Sequence, residues 1–193
     1  MEAEGHGRRA PAPRRVEILR SDVHESYRFA IECEGIRRYR GAGGWSGGLV
    51  KETQLFGGVS VSGSIAPIVI GKVGEFAVCR LAGVPVDLAL RGSGDGGKDL
   101  ALPCGSVQVK TCRPGFPSAF VRVPAESVEW FVFVAWNGVD RFASVLGYAS
   151  RHSISAIQPE PSPRGSWMNH VVPLDGLFPI QNLLKIKPIR EAI

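Results

Sequence analysis

Apolar and polar residues alternate over 27–34. Tyr27, Phe29, Ile31 and Cys33 fall on one side of a two-residue repeat, and Arg28, Glu32 and Glu34 on the other. Period two predicts a half-buried strand, which Gly35 ends. Residues 59–62 alternate briefly. The period then changes: Ile65, Ile68, Val69, Val73, Phe76, Ala77 and Leu81 recur at three- and four-residue spacings, which predicts a helix over about 64–82. Ser64 offers an N-cap, Pro67 sits in the first turn where its missing N–H does no harm, and Gly83 offers a left-handed stop. Glycine inside a helix costs about 1 kcal/mol against alanine. The pair Gly71 and Gly74 therefore argues for close backbone packing or a site that needs room.

Downstream the signals are mostly those of strands. A short apolar run covers 84–90, and a glycine-dense turn covers 91–97. Strands are predicted over 98–102 and 107–111, joined by the turn at 103–106. In the second of these, Val107, Val109 and Thr111 point one way and Gln108 and Lys110 the other. Strands over 129–136 and 141–149 flank the Asn137-Gly138 turn. Residues 150–166 read as a polar, proline-rich loop, 169–173 as a closing strand and 178–185 as a short helix. The order predicts an α+β domain: a mixed central β-sheet with a flanking helix that carries Glu75. Residues 1–15 read as a disordered basic tail and 16–193 as one domain. Within it, 16–62 forms a β-rich N-terminal extension, 63–150 the core, and 151–193 a C-terminal loop, strand and helix.

The composition narrows the class. In 193 residues, 23 Lys+Arg stand against 18 Asp+Glu, a net charge of +5, with 44% hydrophobic and 21% charged residues. This excludes a wholly disordered chain, a collagen and a coiled coil. Arginine supplies 17 of the 23 basic residues, which favours phosphate and base contacts, although a basic chain also suits acidic proteins. The strongest apolar run, 65–70, is far too short for a bilayer, and no apolar signal segment opens the chain. The expectation is a cytoplasmic, non-membrane protein. Cys33, Cys79, Cys104 and Cys112 form no CxxC pair, so free thiols are expected. Cys104 and Cys112 with His152 and His170 match no standard zinc spacing. Arg37, Arg38 and Arg40, with Trp45 in the glycine-rich stretch 41–48, could clamp a nucleic-acid backbone and stack on a base. The alternative there is a surface hairpin with a loose tip.

The chemistry centres on Asp99, Gln108 and Lys110. The hairpin turn would bring a carboxylate, an amide oxygen and an ammonium onto one face, where oxygen ligands can hold a hard divalent cation and the lysine can neutralise phosphate charge. Glu75 would add a second carboxylate if its helix packs beside the hairpin. The bland alternative is a solvated hairpin face. Asp87 reads as an edge residue or a spare carboxylate, Trp130, Trp136 and Trp167 as packing residues, and Arg113 and Arg122 as phosphate contacts or solvated charges.

Gly74-Glu75, then Gly94-Asp95-Gly96-Gly97-Lys98-Asp99, then Gln108-Val109-Lys110 resembles the PD-(D/E)XK superfamily of restriction-endonuclease-like nucleases. The resemblance covers residues 64–111. It implies a restriction-endonuclease-like core and a Mg²⁺ ion, which Mn²⁺ could replace. Asp99 would be the central ligand, Glu75 an additional one, and the Val109 carbonyl a third. Lys110 would position the attacking water. Gln108 stands where an acid is usual, and Lys98 precedes Asp99 where the family's name has proline. No helix is evident after the third strand.

The resulting expectation is a metal-dependent DNA endonuclease that hydrolyses phosphodiester bonds, with Arg37, Arg38, Arg40, Trp45 and Arg113 on the DNA. It would be either a restriction enzyme acting as a homodimer or a structure-directed phage or repair nuclease such as a junction resolvase. A non-catalytic DNA-binding module and a domain for acidic proteins are the rivals outside that class.

Overall fold

The computed structural model describes residues 12–39, 52–63, 65–90, 98–122, 127–162 and 168–186, with backbone alone at 36–39. In chain order the elements are β1 (Arg14–Glu17), α1 (Arg20–Tyr39), β2 (Thr53–Leu55), β3 (Val59–Val61), α2 (Ala66–Ala82), β4 (Leu100–Leu102), β5 (Gly105–Cys112), β6 (Ser118–Arg122), β7 (Trp130–Ala135), β8 (Phe142–Ser150), α3 (Arg151–Ser155), β9 (Glu160–Pro161), β10 (Met168–Pro173) and α4 (Ile180–Leu184). The protein is α+β. A five-stranded mixed sheet runs in the order β1-β8-β7-β5-β4. Strands β5 and β7 are parallel and the other pairs antiparallel.

Each face of that sheet has its own cover. Val107, Val109, Val132, Val134, Val145 and Tyr148 pack with Val69, Val73, Ala77 and Val78 of α2 in the larger core. On the opposite face Phe131 and Phe133 pack with Ala119, Val121 and Val172, from a second sheet ordered β6-β10-β9, and with Ile154 of α3. A parallel pair needs a crossover between its strands. Between β5 and β7 that connection carries β6, a strand of the covering sheet, and no helix among the described residues. Among the described residues no helix is long and apolar enough to cross a membrane.

Several elements differ from expectation. Residues 27–34 are not a strand but part of α1, so the stretch 16–62 is led by a helix. The alternation there is incidental: the buried positions are Val23, Ser26 and Ala30, at helical spacing, while Ile31 is 46% exposed. The helix start is fixed by Asp22, whose Oδ2 accepts the Leu19 N–H at 2.7 Å, the reciprocal half of a capping box. Asp22 also takes Arg80 of α2 at 2.8 Å, which binds the two helices together. Arg14 and Arg15, expected in the tail, belong to β1, because pairing with β8 buries Val16. Residues 1–11 lie outside the described residues. The run 84–90 forms no strand. The stretch 150–166 contains α3, capped by Ser150 Oγ on the Ser153 N–H, and β9. Helix α2 starts after Ile65, with no side-chain cap, and ends at Gly83 (φ 70°) as expected. Ser64 lies outside the described residues.

Candidate active site

The hairpin β4–β5 is short because its ladder stops at Asp99. The pairs are Leu102↔Gly105, Ala101↔Ser106 and Leu100↔Val107. Gly105 makes the turn at φ +123° and leaves room for Glu129, whose Oε2 accepts the Ser106 N–H at 3.0 Å. At the open end Asp99 is out of step by one residue: its N–H donates to Val107 O at 2.9 Å. Its side chain then takes the place of the next backbone acceptor, with Oδ2 receiving the Val109 N–H at 2.6 Å. A strand residue's N–H and C=O leave the backbone on the same side. The Val109 carbonyl is therefore directed toward the edge at which β4 has ended.

Asp99 also lines a cleft of about 770 Å³. It is lined by Val84, Pro85 and Asp87 from the segment after α2, by Lys98 and Asp99 with Leu100–Leu102, and by Gly105 and Ser106. Pro85 keeps this segment out of a helix, and Asp87 Oδ1 accepts the Ala89 N–H at 2.9 Å. Each cleft aspartate is thus oriented by a backbone N–H.

Glu75 reaches the region from α2. The helix lies close on β5 at Gly74, where a Cβ would stand 2.0 Å from Thr111 Oγ1. That is the close approach expected of Gly74, whereas a Cβ at Gly71 would meet nothing within 4 Å. Glu75 is buried and paired with Lys72 at 2.6 Å. The Lys72 ammonium also donates to the Asp87 carbonyl at 3.2 Å and sits 4.2 Å from the Phe29 ring centroid. Burial pushes the Cys79 thiol up to about 12, and the nearby Glu75 carboxylate adds to this while Lys72 opposes it.

The structure thus joins Asp99 to Val109 and sets Asp87 in the same cleft. It does not gather Glu75, Gln108 and Lys110 on one face. Helix α2 covers the Val107–Val109 face of β5, whereas Gln108 and Lys110 stand opposite Phe131 and Phe133, which point into the other core. The two-residue period of the strand forces this separation. Among the described residues no three His, Cys, Asp or Glu side chains converge for a metal ion. Asp87, read from the sequence as an edge residue or a spare carboxylate, lies in no strand; it lines the cleft and forms an Asx turn with the Ala89 N–H.

The remaining candidates are scattered. Arg113 is exposed just beyond β5. Arg37 and Arg38 belong to the last turn of α1 rather than to a hairpin, and Arg40, Trp45, Asp95 and Trp167 lie outside the described residues. Cys104 and Cys112 bracket β5, about 26 Å apart at strand rise, so they cannot share a zinc ion. Burial raises both thiols. His170 is buried with Nδ1 2.8 Å from Ile157 O. No protein-family model, no curated protein and no solved structure matches this chain.

Proposed function

We propose that this protein is a metal-dependent endonuclease that hydrolyses DNA phosphodiester bonds on a restriction-endonuclease-like core. The observation that carries this reading is the bond from the Val109 N–H to Asp99 Oδ2 at 2.6 Å, which ties to β5 a carboxylate that lines a cleft of about 770 Å³. Oxygen donors of this kind suit Mg²⁺, and Mn²⁺ in its place. Asp99 and the Val109 carbonyl would hold the ion. When bound, it would polarise the phosphate and lower the pKa of the attacking water. Lys110, next along β5, would bring its ammonium to the phosphate and to that water from the other side of the strand end. Gln108 would offer a neutral amide to the same region, which leaves the negative charge of the site to the aspartates. The net charge of +5 favours a polyanionic substrate.

The test is cleavage of supercoiled plasmid with Mg²⁺ by the wild type, Asp99→Ala and Lys110→Ala, with an EDTA control. The expected result is cleavage by wild type alone and a loss of at least about 100-fold in each variant. Discrete fragments would mark a sequence-reading enzyme, and a preference for branched or nicked DNA a structure-directed one. Normal cleavage by Lys110→Ala would overturn the assignment. Salt-sensitive DNA binding without cleavage under Mg²⁺ or Mn²⁺ would make the protein a binding module.

A further inference from the structure

One face of the five-stranded sheet runs out from under its cover. Phe131 and Phe133 of β7 are fully buried against the β6-β10-β9 sheet. In register, Ala135, Ser144 and Phe142 continue that face, and Arg15 and Glu17 of β1 extend it opposite Ser144 and Phe142. Here the cover has ended: Phe142 is 39% exposed and Arg15 is exposed. We infer that this uncovered end of the sheet, built on Arg15, Phe142 and Arg141, is a DNA-docking surface outside the cleft. The inference rests on the nuclease reading for its partner, DNA.

The first argument is how the arginines are held. The Arg15 guanidinium carbon lies 4.5 Å from the Phe142 ring centroid, and that of Arg141 lies 6.0 Å from the same ring. Stacking holds a guanidinium by its flat face and leaves the N–H groups at its rim for an anion. Among the described residues Arg15 has no carboxylate partner. Arg141 donates Nε–H to Glu17 Oε1 at 2.8 Å, which leaves the exposed Asp140 as the other acid beside it. The second argument is strand order. Strands β5 and β7 are parallel and β8 and β1 alternate with them, so the ends of β5 and β1 fall on one side of the sheet. Arg113, exposed just beyond β5, therefore stands at the same end as Arg15, three strand spacings or about 14 Å away. That is the rise of about four base pairs. Lys110 shares this sheet face, in register with Phe133, so DNA held here lies on the side of the sheet that carries the lysine. The third argument is the partner. An acidic peptide could pair with the same arginines, but a half-exposed ring flanked by guanidinium groups suits a nucleic acid, whose sugars and bases pack on flat faces while its phosphates take the N–H groups.

The experiment measures binding of a short fluorescein-labelled DNA duplex to the full chain by anisotropy, in EDTA and over a range of salt, and follows plasmid cleavage with Mg²⁺ in parallel. The proteins are wild type, Arg15→Ala, Arg141→Ala, Phe142→Leu and Arg28→Ala, each checked for folding by circular dichroism. Arg28 is an exposed arginine of α1, the helix that packs on α2 at the opposite face of the sheet, so its variant carries the same change of charge without touching the surface. Arg15→Ala and Arg141→Ala are expected to weaken binding about five- to tenfold, and Arg15→Ala to lower the slope of log affinity against log salt by about one. Phe142→Leu, which keeps the charge and removes the ring, is expected to weaken binding about threefold with the slope unchanged. Arg28→Ala should stay within about twofold of wild type. A loss in Arg15→Ala no greater than in Arg28→Ala would overturn the inference, as would absence of DNA binding by the wild type. Displacement of the duplex by poly-glutamate as readily as by unlabelled DNA would overturn it in favour of an acidic protein. Cleavage by the wild type, beside unchanged binding in Arg15→Ala, would leave the nuclease reading standing without this surface. Binding through Arg15 without cleavage would keep the surface and overturn the nuclease reading.

Discussion

Val109 gives its backbone N–H to Asp99 Oδ2 at 2.6 Å, one step beyond the last regular pair of the β4–β5 ladder. A side chain thus does what a strand backbone would do, and the carboxylate is locked to the strand that also carries Lys110. Asp99→Ala leaves that N–H without its acceptor. The expected loss is about 1.5–3 kcal/mol, as for a hydrogen bond to a charged group. Asp99→Asn retains an oxygen acceptor and should lose about half as much. Urea unfolding of the two variants measures the difference, and equal losses would show that the bond contributes little.

The buried pair Lys72–Glu75 makes a separate prediction for stability. Removing one partner leaves an uncompensated charge in the interior, at a cost of about 3–5 kcal/mol. Lys72→Met alone should therefore destabilise the fold more than Lys72→Met/Glu75→Leu does. A double-mutant cycle on urea midpoints gives the sign of the coupling, and additive losses would remove the case for a mutual dependence.

Thr111 Oγ1 is buried without a hydrogen-bond partner among the described residues, against the backbone of Gly74. Thr111→Val keeps the shape and removes the unmet hydroxyl, so stability should hold or rise by up to about 1 kcal/mol. Gly74→Ala places a methyl 2.0 Å from that oxygen and should destabilise by about 1–3 kcal/mol through overpacking. Thermal melts of the two variants should move in opposite directions.

The Cys79 thiol gives a prediction with pH. Its folded value is about 12 against an ordinary 9.0, so the folded state holds the proton more tightly than the unfolded state. The contribution to stability is therefore complete below pH 9 and declines as pH rises from 9 toward 12, by up to about 1.4 kcal/mol per unit. Cys79→Ala should flatten that decline in urea titrations at pH 8, 9 and 10. At pH 8.5 the wild-type thiol should resist iodoacetamide until the protein is unfolded, as read by mass spectrometry of the Cys79 peptide.

Much of the frame was legible from local pattern. The helix over 64–82, its glycine stop, the strands at β5, β7, β8 and β10 and the α+β class follow from periodicities and turn residues that act within a few positions. So did the short approach at Gly74 and the order Glu75, Asp99, Gln108, Lys110. Tertiary structure decided the rest. The stretch 27–34 alternates like a strand, yet Asp22 and Arg80, 58 residues apart, hold it as a helix against α2. Strand period alone put Gln108 and Lys110 on the face away from Glu75, once α2 had chosen the valine face of β5. Asp87 came to the cleft through Lys72, fifteen residues earlier in the chain. The sequence by itself determined which residue types were available and their local conformation. Only the packing of α2, β5 and the segment after Gly83 decided which acids line the cleft, because side chains distant in sequence find one another through the burial of apolar faces and not through spacing.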